Sequence, residues 1–172
     1  MIAWVGLGAN LGDARGTLAR AVAALDEGPA RVLAVSSLYH SRPLGPADQP
    51  DYLNAALRLA TALGPRALLE RMQGIEATLG RRPRPRWRER ELDLDLLLAW
   101  EDGALLTHGE GLELPHPGLR ERAFVLAPLL ELDPGLADPR DGRRLEEEWR
   151  RLAAHEPDAV RRVEGAQWCR MS

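Results

Sequence analysis

The hydrophobic pattern is clearest between Leu92 and Leu98, where Leu92, Leu94, Leu96 and Leu98 alternate with Asp93, Asp95 and Leu97. A period of two predicts a β-strand over 92–100 with one face in a core. A short apolar run at 2–8 predicts a strand, and 31–39, rich in Val, Leu and Ser, predicts another. Over 51–60, Leu53, Ala55, Leu57 and Leu59 alternate with Asn54, Ala56 and Arg58, although Ala and Leu also suit a helix. Helical spacing runs over 13–25 (Leu18, Val22, Leu25) and over 65–79 (Leu68, Leu69, Met72, Ile75, Leu79). Pro65 opens the second of these helices and Gly80 closes it. Further helices are predicted over 120–130 and 144–154. A turn at 101–103 is expected to fold 104–107 back as an edge hairpin, and the prolines of 112–117 hold that stretch extended. Residues 157–172 show no clear period and are expected to fray.

Strand-helix-strand-strand-helix-strand is the order of a ferredoxin-like split βαβ core. The fold class expected is α+β, an elaborated antiparallel sheet with helices packed on it. At 172 residues the chain is expected to be a single catalytic domain, 1–172, with a loosely ordered tail from about 157. Two long loops interrupt the pattern. Residues 40–50 hold three prolines, and 80–90 hold two prolines, six arginines and almost nothing apolar except Trp87. The second cannot bury enough to order itself, so it is expected to be mobile until something anionic arrives.

Charge sharpens this picture. Lys+Arg is 23 and Asp+Glu 26, so 23 − 26 leaves −3, too acidic for a general nucleic-acid coat. All 23 basic residues are arginine. The absence of lysine excludes a Walker A cradle, a protein-kinase strand lysine and Schiff-base chemistry. Gly6, Gly8 and Gly12 miss the G-x-G-x-x-G spacing by one place, so they read as a tight strand-to-helix turn. One cysteine, Cys169, excludes internal disulfides and cysteine zinc sites. The N-terminal residues lack a signal-peptide pattern and no stretch approaches membrane-spanning length, so a cytoplasmic protein is expected.

The candidate chemistry gathers at 81–95. Strand geometry projects Asp93 and Asp95 from one face, roughly 6.5–7 Å apart along the backbone. Two carboxylates so placed can converge on Mg²⁺, which takes oxygen ligands. Arg81, Arg82, Arg84, Arg86, Arg88 and Arg90 precede them. Acids to hold a metal beside guanidinium forks for phosphate suit a Mg²⁺–polyphosphate substrate. An alternating Leu/Asp run is also the commonplace pattern of a solvated surface strand that binds nothing.

Several landmarks stand in order along the chain. They are Gly8-Ala9-Asn10-Leu11-Gly12, Ser36-Ser37-Leu38-Tyr39, Pro43-Leu44-Gly45, and Asp48-Gln49-Pro50-Asp51-Tyr52-Leu53-Asn54. Gln73 with Glu76 and Gly80-Arg81, Arg90 with Leu92-Asp93-Leu94-Asp95, and Leu114-Pro115-His116-Pro117 with Arg122 and Phe124 complete the set. Together they resemble the 6-hydroxymethyl-7,8-dihydropterin pyrophosphokinase family of folate biosynthesis over residues 1 to about 136. The resemblance implies transfer of pyrophosphate from ATP to the pterin hydroxymethyl group, with Mg²⁺, two ions being expected. It implies Asp93 and Asp95 as metal ligands and, with Arg81 and Arg90, as the catalytic set. Gln73, Glu76, Arg81, Arg82, Arg84, Arg90, Leu96, Leu112, His116 and Arg122 would line the ATP site. Ser41, Arg42, Leu44, Tyr52, Asn54, Trp87, Asp95 and Phe124 would serve the pterin. A flat bicyclic ring suits aromatic faces such as Trp87 and Phe124, and its polar edge suits the Asn54 amide and Ser41 hydroxyl.

Two other classes fit parts of the chain. In one, the arginine loop meets nucleic-acid phosphates while Trp87 stacks on a base. In the other, the chain is a catalytically silent ferredoxin-like domain, which leaves the clustering of acids and arginines without a reason. The pyrophosphokinase reading expects small-molecule substrates, no nucleic acid, no membrane and a monomer.

Overall fold

Alternating side chains commit seven strands to one antiparallel sheet. The computed structural model describes residues 1–46, 48–83, 85, 88–106, 108–109 and 112–169. Strand β1 (Ile2–Ala9) leads to helix α1 (Ala14–Leu25), whose entry is capped by the Asp13 carboxylate accepting from Gly16 N at 2.9 Å. Strands β2 (Ala30–Val35), β3 (Leu38–Ser41) and β4 (Tyr52–Thr61) follow, then helix α2 (Pro65–Thr78) with proline in its first turn. Next come β5 (Asp93–Glu101), β6 (Ala104–Leu105) and a small ribbon of β7 (His108–Gly109) with β8 (Leu112–Glu113). Helices α3 (Ala123–Leu132) and α4 (Leu145–His155) precede β9 (Val160–Glu164) and a 3-10 turn, Ala166–Cys169.

The strands lie in the order β6-β5-β1-β4-β3-β9, with β2 also on β4. Within it, β5-β1-β4-β2, crossed by α1 and α2, is the split βαβ core expected. One face buries Val5, Leu7, Leu57, Leu59, Leu94 and Leu96 under Leu18, Val22 and Leu25 of α1 and Leu68 and Met72 of α2. The other face buries Trp4, Ala56, Leu97 and Leu98 under Leu119, Val125, Leu126 and Leu129, with Leu145 of α4. Helix α3 covers only part of that second face.

Four expectations change. The strand predicted over 31–39 is two strands, divided at the fully buried Ser36 and Ser37. Ser36 Oγ accepts from Ala56 N and Ser37 Oγ donates to Glu131, so the serines divert the local hydrogen bonding from one continuous ladder. On β5, the pairing with β1 shifts between Trp4 and Val5, leaving Leu97 as an extra residue. The bulge moves Leu98 onto the face of Asp93 and Asp95, away from Leu92, Leu94 and Leu96. The helix predicted over 120–130 starts at Ala123, because Arg122 is extended (φ −122°, ψ 106°). Of the tail expected to fray, residues 160–164 instead pair as β9 with β3 and Trp168 is wholly buried, its indole N–H donating to Ser36 O at 2.8 Å, while 170–172 lie outside the described residues. A single buried Trp and an edge strand hold a segment whose exposed arginines hide any period.

Candidate functional site

The uncovered part of the second sheet face forms the floor of a cavity of about 270 Å³. On β1, Gly8 sits opposite Asp93 on one side and Asn54 on the other, and Gly6 sits opposite Asp95 and Ala56. Glycines at these two places leave the central strand without side chains, so flanking groups reach over open space. The walls are loop 41–45 and the aromatic rings of Tyr52 and Phe124. Arg81, Arg88, Arg90, His116 and Arg122 close the charged end.

Asp93 and Asp95 point into this space from β5, as strand periodicity predicts. Asp93 Oδ1 lies 3.1 Å from Arg81 Nη1 and 3.4 Å from Arg90 Nη1. Asp95 faces Arg122 Nη1 and His116 Nε2, each at 3.8 Å. Burial, with the neighbouring Asp95 charge adding to it, raises the Asp93 carboxyl above the ordinary aspartate range; Arg90 and Arg81 oppose this without cancelling it. A crowded carboxylate pair gains from a cation between it and phosphate oxygens. Among the described residues no cluster of three or more Asp, Glu, His or Cys could hold a metal. Two carboxylates fit Mg²⁺, which completes its shell with water and substrate phosphate, better than a metal that needs an all-protein cage.

His116 is held by its own turn. Its N donates to Leu97 O at 2.9 Å and its Nδ1 accepts from Gly118 N at 3.1 Å. Nδ1 is thus the acceptor, so the neutral ring carries its proton on Nε2, toward Asp95. Burial lowers the His116 pKa and favours that neutral form.

Glu76 does not line the cavity. It is buried beneath β5, where Oε1 accepts from Leu94 N at 2.7 Å and pairs with Arg81 Nη1. Burial raises its pKa; its place is that of a prop holding Arg81 toward Asp93. Gln73 and Arg82 line a second depression that shares Arg81 and Arg90 with the first. The Leu96 side chain lies on the opposite face of β5, in the core under α1 and α2, and Leu112 packs against that core. Neither side chain reaches the cavity. Arg84, Arg86 and Trp87, three residues of the arginine loop read as a mobile segment, lie outside the described residues.

The groups expected around the pterin do meet. Asn54 Nδ2 donates to Ser41 Oγ at 2.9 Å, and both line the cavity with Arg42, Leu44, Tyr52 and Phe124. Tyr52 Oη donates to Arg88 O at 3.1 Å, and burial raises its pKa. Sequence reasoning gave no site role to Gly6, Gly8, Gln49 and Asn10, although the last three stand within the ordered landmarks. Asn10 is buried at the end of β1, where its Oδ1 accepts from Arg90 N at 2.8 Å and its N donates to Arg90 O at 3.0 Å. Its Nδ2 donates to Pro50 O at 2.8 Å. One amide therefore pins the ends of both long loops. Glycines two apart on a buried strand were a signal available in the sequence; Asn10 was marked only as part of the Gly8–Gly12 landmark.

The family model for 7,8-dihydro-6-hydroxymethylpterin-pyrophosphokinase matches residues 4–134. A Pseudomonas aeruginosa protein named 2-amino-4-hydroxy-6-hydroxymethyldihydropteridine pyrophosphokinase is 44% identical over 164 residues, 95% of this chain and 97% of its own. A Methylorubrum extorquens protein of the same name is 45% identical over 163 residues, covering 94% and 98%. Among solved structures, a Plasmodium falciparum HPPK-DHPS triple mutant superposes with a TM-score of 0.72 over 94% of this chain at 13% identity. At that identity the likeness shows the fold. This chain spans about half of that longer one, 47%.

Proposed function

Because the chain belongs to the 7,8-dihydro-6-hydroxymethylpterin-pyrophosphokinase family, we propose that its reaction takes place over the glycine floor between Asp93, Asp95 and Asn54. The chain is an ATP-dependent diphosphokinase. It transfers pyrophosphate from ATP to the hydroxymethyl group of 6-hydroxymethyl-7,8-dihydropterin in folate biosynthesis, giving AMP and the pterin diphosphate ester. The observation that carries the site assignment is one cavity with a carboxylate pair and arginines at one end and Tyr52, Phe124, Asn54 and Ser41 at the other. A doubly charged polyphosphate end and a flat, polar-edged ring end match the two substrates.

The pterin lies on Gly8 with its faces against Tyr52 and Phe124 and its amide edge toward Asn54 and Ser41. This presents the hydroxymethyl oxygen to Asp95. Trp87 is assigned to the same pocket from the resemblance. The triphosphate runs from the Gln73 and Arg82 depression across Arg81 and Arg90, with Arg84 assigned to it and His116 and Arg122 flanking the transferred group. The hydroxymethyl oxygen forms a bond to the β-phosphorus as the bond from that phosphorus to the AMP oxygen breaks. Asp93 and Asp95 would hold Mg²⁺, two ions in this reading, which when bound screens the phosphate charges and favours the ionised hydroxyl. Arg81, Arg90 and Arg122 meet charge that develops on the β,γ-unit, and their fixed anchoring at Glu76, Asn10 and the 116–122 turn supplies preorganisation. Catalysis is then positioning and electrostatics, as expected for phosphoryl chemistry, with no covalent enzyme intermediate.

In the same reading the chain works as a single catalytic domain and a monomer in the cytoplasm. It acts on small molecules, without nucleic acid or membrane. A net charge of −3 supports the lack of nucleic acid, and among the described residues no helix is long and apolar enough to cross a membrane. The test is incubation with MgATP and the pterin, then chromatographic separation of nucleotides. AMP is expected in step with pterin diphosphate; pterin-dependent ADP, or no turnover, overturns the reading.

A further inference from the structure

The turn 117–122 connects two groups that face Asp95, His116 just before it and Arg122 at its end. Its cavity side is set by His116 N on Leu97 O and by Leu119, which is wholly buried in the second core. Its back is held by Arg120. Arg120 Nε lies 3.0 Å from Asp138 Oδ2, and Nη1 lies 2.6 Å from Asp141 Oδ2. Asp138 is inaccessible to solvent and also takes the backbone N, Nε and Nη2 of Arg140 at 2.6–3.1 Å.

Burial pushes the Asp138 carboxyl up, but Arg140 and then Arg120 outweigh it and leave the pKa below the ordinary range. The carboxylate is therefore ionised at neutral pH, under two guanidinium groups. Such an arrangement is a poor way to gain stability, since apolar packing does as well without the desolvation cost. What it supplies is direction: a planar guanidinium gripped at Nε and at Nη1 cannot swivel. Asp138 and Asp141 also follow residue 134, where the family match ends. They touch no cavity-lining position, yet they grip the one turn that carries both partners of Asp95.

We infer that Asp138, together with Asp141, positions His116 and Arg122 against Asp95 by clamping Arg120, and so sets the nucleotide side of the cavity. This rests on the pyrophosphokinase reading. Releasing the clamp lets the turn move by about an ångström, a displacement that costs on the order of 10²-fold in rate at a preorganised site. The Tyr52 and Asn54 end hangs from β4, and Phe124 is carried by α3, which Val125, Leu126 and Leu129 hold in the second core.

The experiment compares wild type with Asp138→Asn, Asp141→Asn, Arg120→Met and the Asp138→Asn/Arg120→Met double variant, all as full chains with folded fractions checked by thermal melts. Calorimetry measures binding of a non-hydrolysable ATP analogue with Mg²⁺ and, separately, of the pterin alone; steady-state assays give kcat and both KM values. Expected is roughly 10²-fold lower kcat/KM for ATP in Asp138→Asn. Weaker analogue binding should accompany it, with pterin affinity within twofold of wild type. The double variant should be no worse than the weaker single one. Asp141→Asn removes only the outer grip, so it shows the same split at smaller size even where Asp138→Asn does not fold. Equal nucleotide binding in a folded Asp141→Asn, or losses that track the unfolded fraction alike for both ligands, overturns the clamp. A wild type that binds neither ligand overturns the pyrophosphokinase reading instead.

Discussion

Replacing Gly8 by alanine separates a cavity floor from a structural glycine, because the two roles move stability and binding in opposite directions. Gly8 lies in the interior of β1 without a positive φ. A Cβ there meets Asn54 Oδ1 at 3.5 Å and Tyr52 Cδ1 at 3.8 Å, which is ordinary contact, so the folded protein accommodates it. Glycine within a strand costs about 0.5–1 kcal/mol relative to alanine. For a chain of this length each kcal/mol moves Tm by about 2–4 °C, so Gly8→Ala should melt about 1–4 °C higher. The same methyl intrudes where the pterin rests. Overpacking a fitted site costs about 1–3 kcal/mol, or about a 5- to 150-fold rise in Kd. Calorimetry with the pterin in the presence of a Mg²⁺–ATP analogue, beside a thermal melt, reads both quantities. Unchanged pterin affinity would refute contact between the ring and the β1 floor. A Tm lower by several degrees would show instead that Gly8 is needed by the backbone.

Asp95→Asn should leave the melt within about 1 °C, because the carboxylate points into the cavity, and lower kcat by at least ~10²-fold; near wild-type turnover would reduce Asp95 to a surface residue. Asn10→Asp keeps the acceptor for Arg90 N but sets a carboxylate oxygen against Pro50 O. It should therefore weaken pterin binding about tenfold with nucleotide binding nearly unchanged, and equal losses for both ligands would count against loop 42–50 being the part that is released. Trp168→Ala should destabilise the chain by about 3–5 kcal/mol in urea titration, the cost of emptying a large core site, whereas a change under about 1 kcal/mol would mean the C-terminal segment is not integral to the fold.

Much of the fold was legible because burial imposes a period. The leucines of 92–96 against Asp93 and Asp95, the stripe of 65–79 and the alternation of 51–60 each declare one inward face, and the order of those elements restricts them to a split βαβ sheet. The carboxylate pair was legible for the same reason: two residues apart on a strand share a face whatever the rest of the chain does. Local chemistry also marked the arginine loop, and the ordered landmarks marked the pterin pocket.

Distance in sequence hid the rest. The bulge that turns Leu98 over depends on how β1 pairs with β5, a fact about two strands. Leu96, next to Asp95 in sequence, falls on the opposite, core face of the strand, so nearness in sequence did not make it a cavity residue. Glu76, which the resemblance placed at the ATP site, is drawn under β5 by Leu94 N and Arg81. Asn10 gains its role from partners forty and eighty residues away. Trp168 orders a stretch without periodicity because it fills a hole that Ser36 and α1 create. The sequence alone determined which residues are inward, which strands share a sheet and which charges travel together. Tertiary structure decided which of those charges face each other, because contacts between distant segments arise from closing the chain around two cores, and no local pattern encodes that closure.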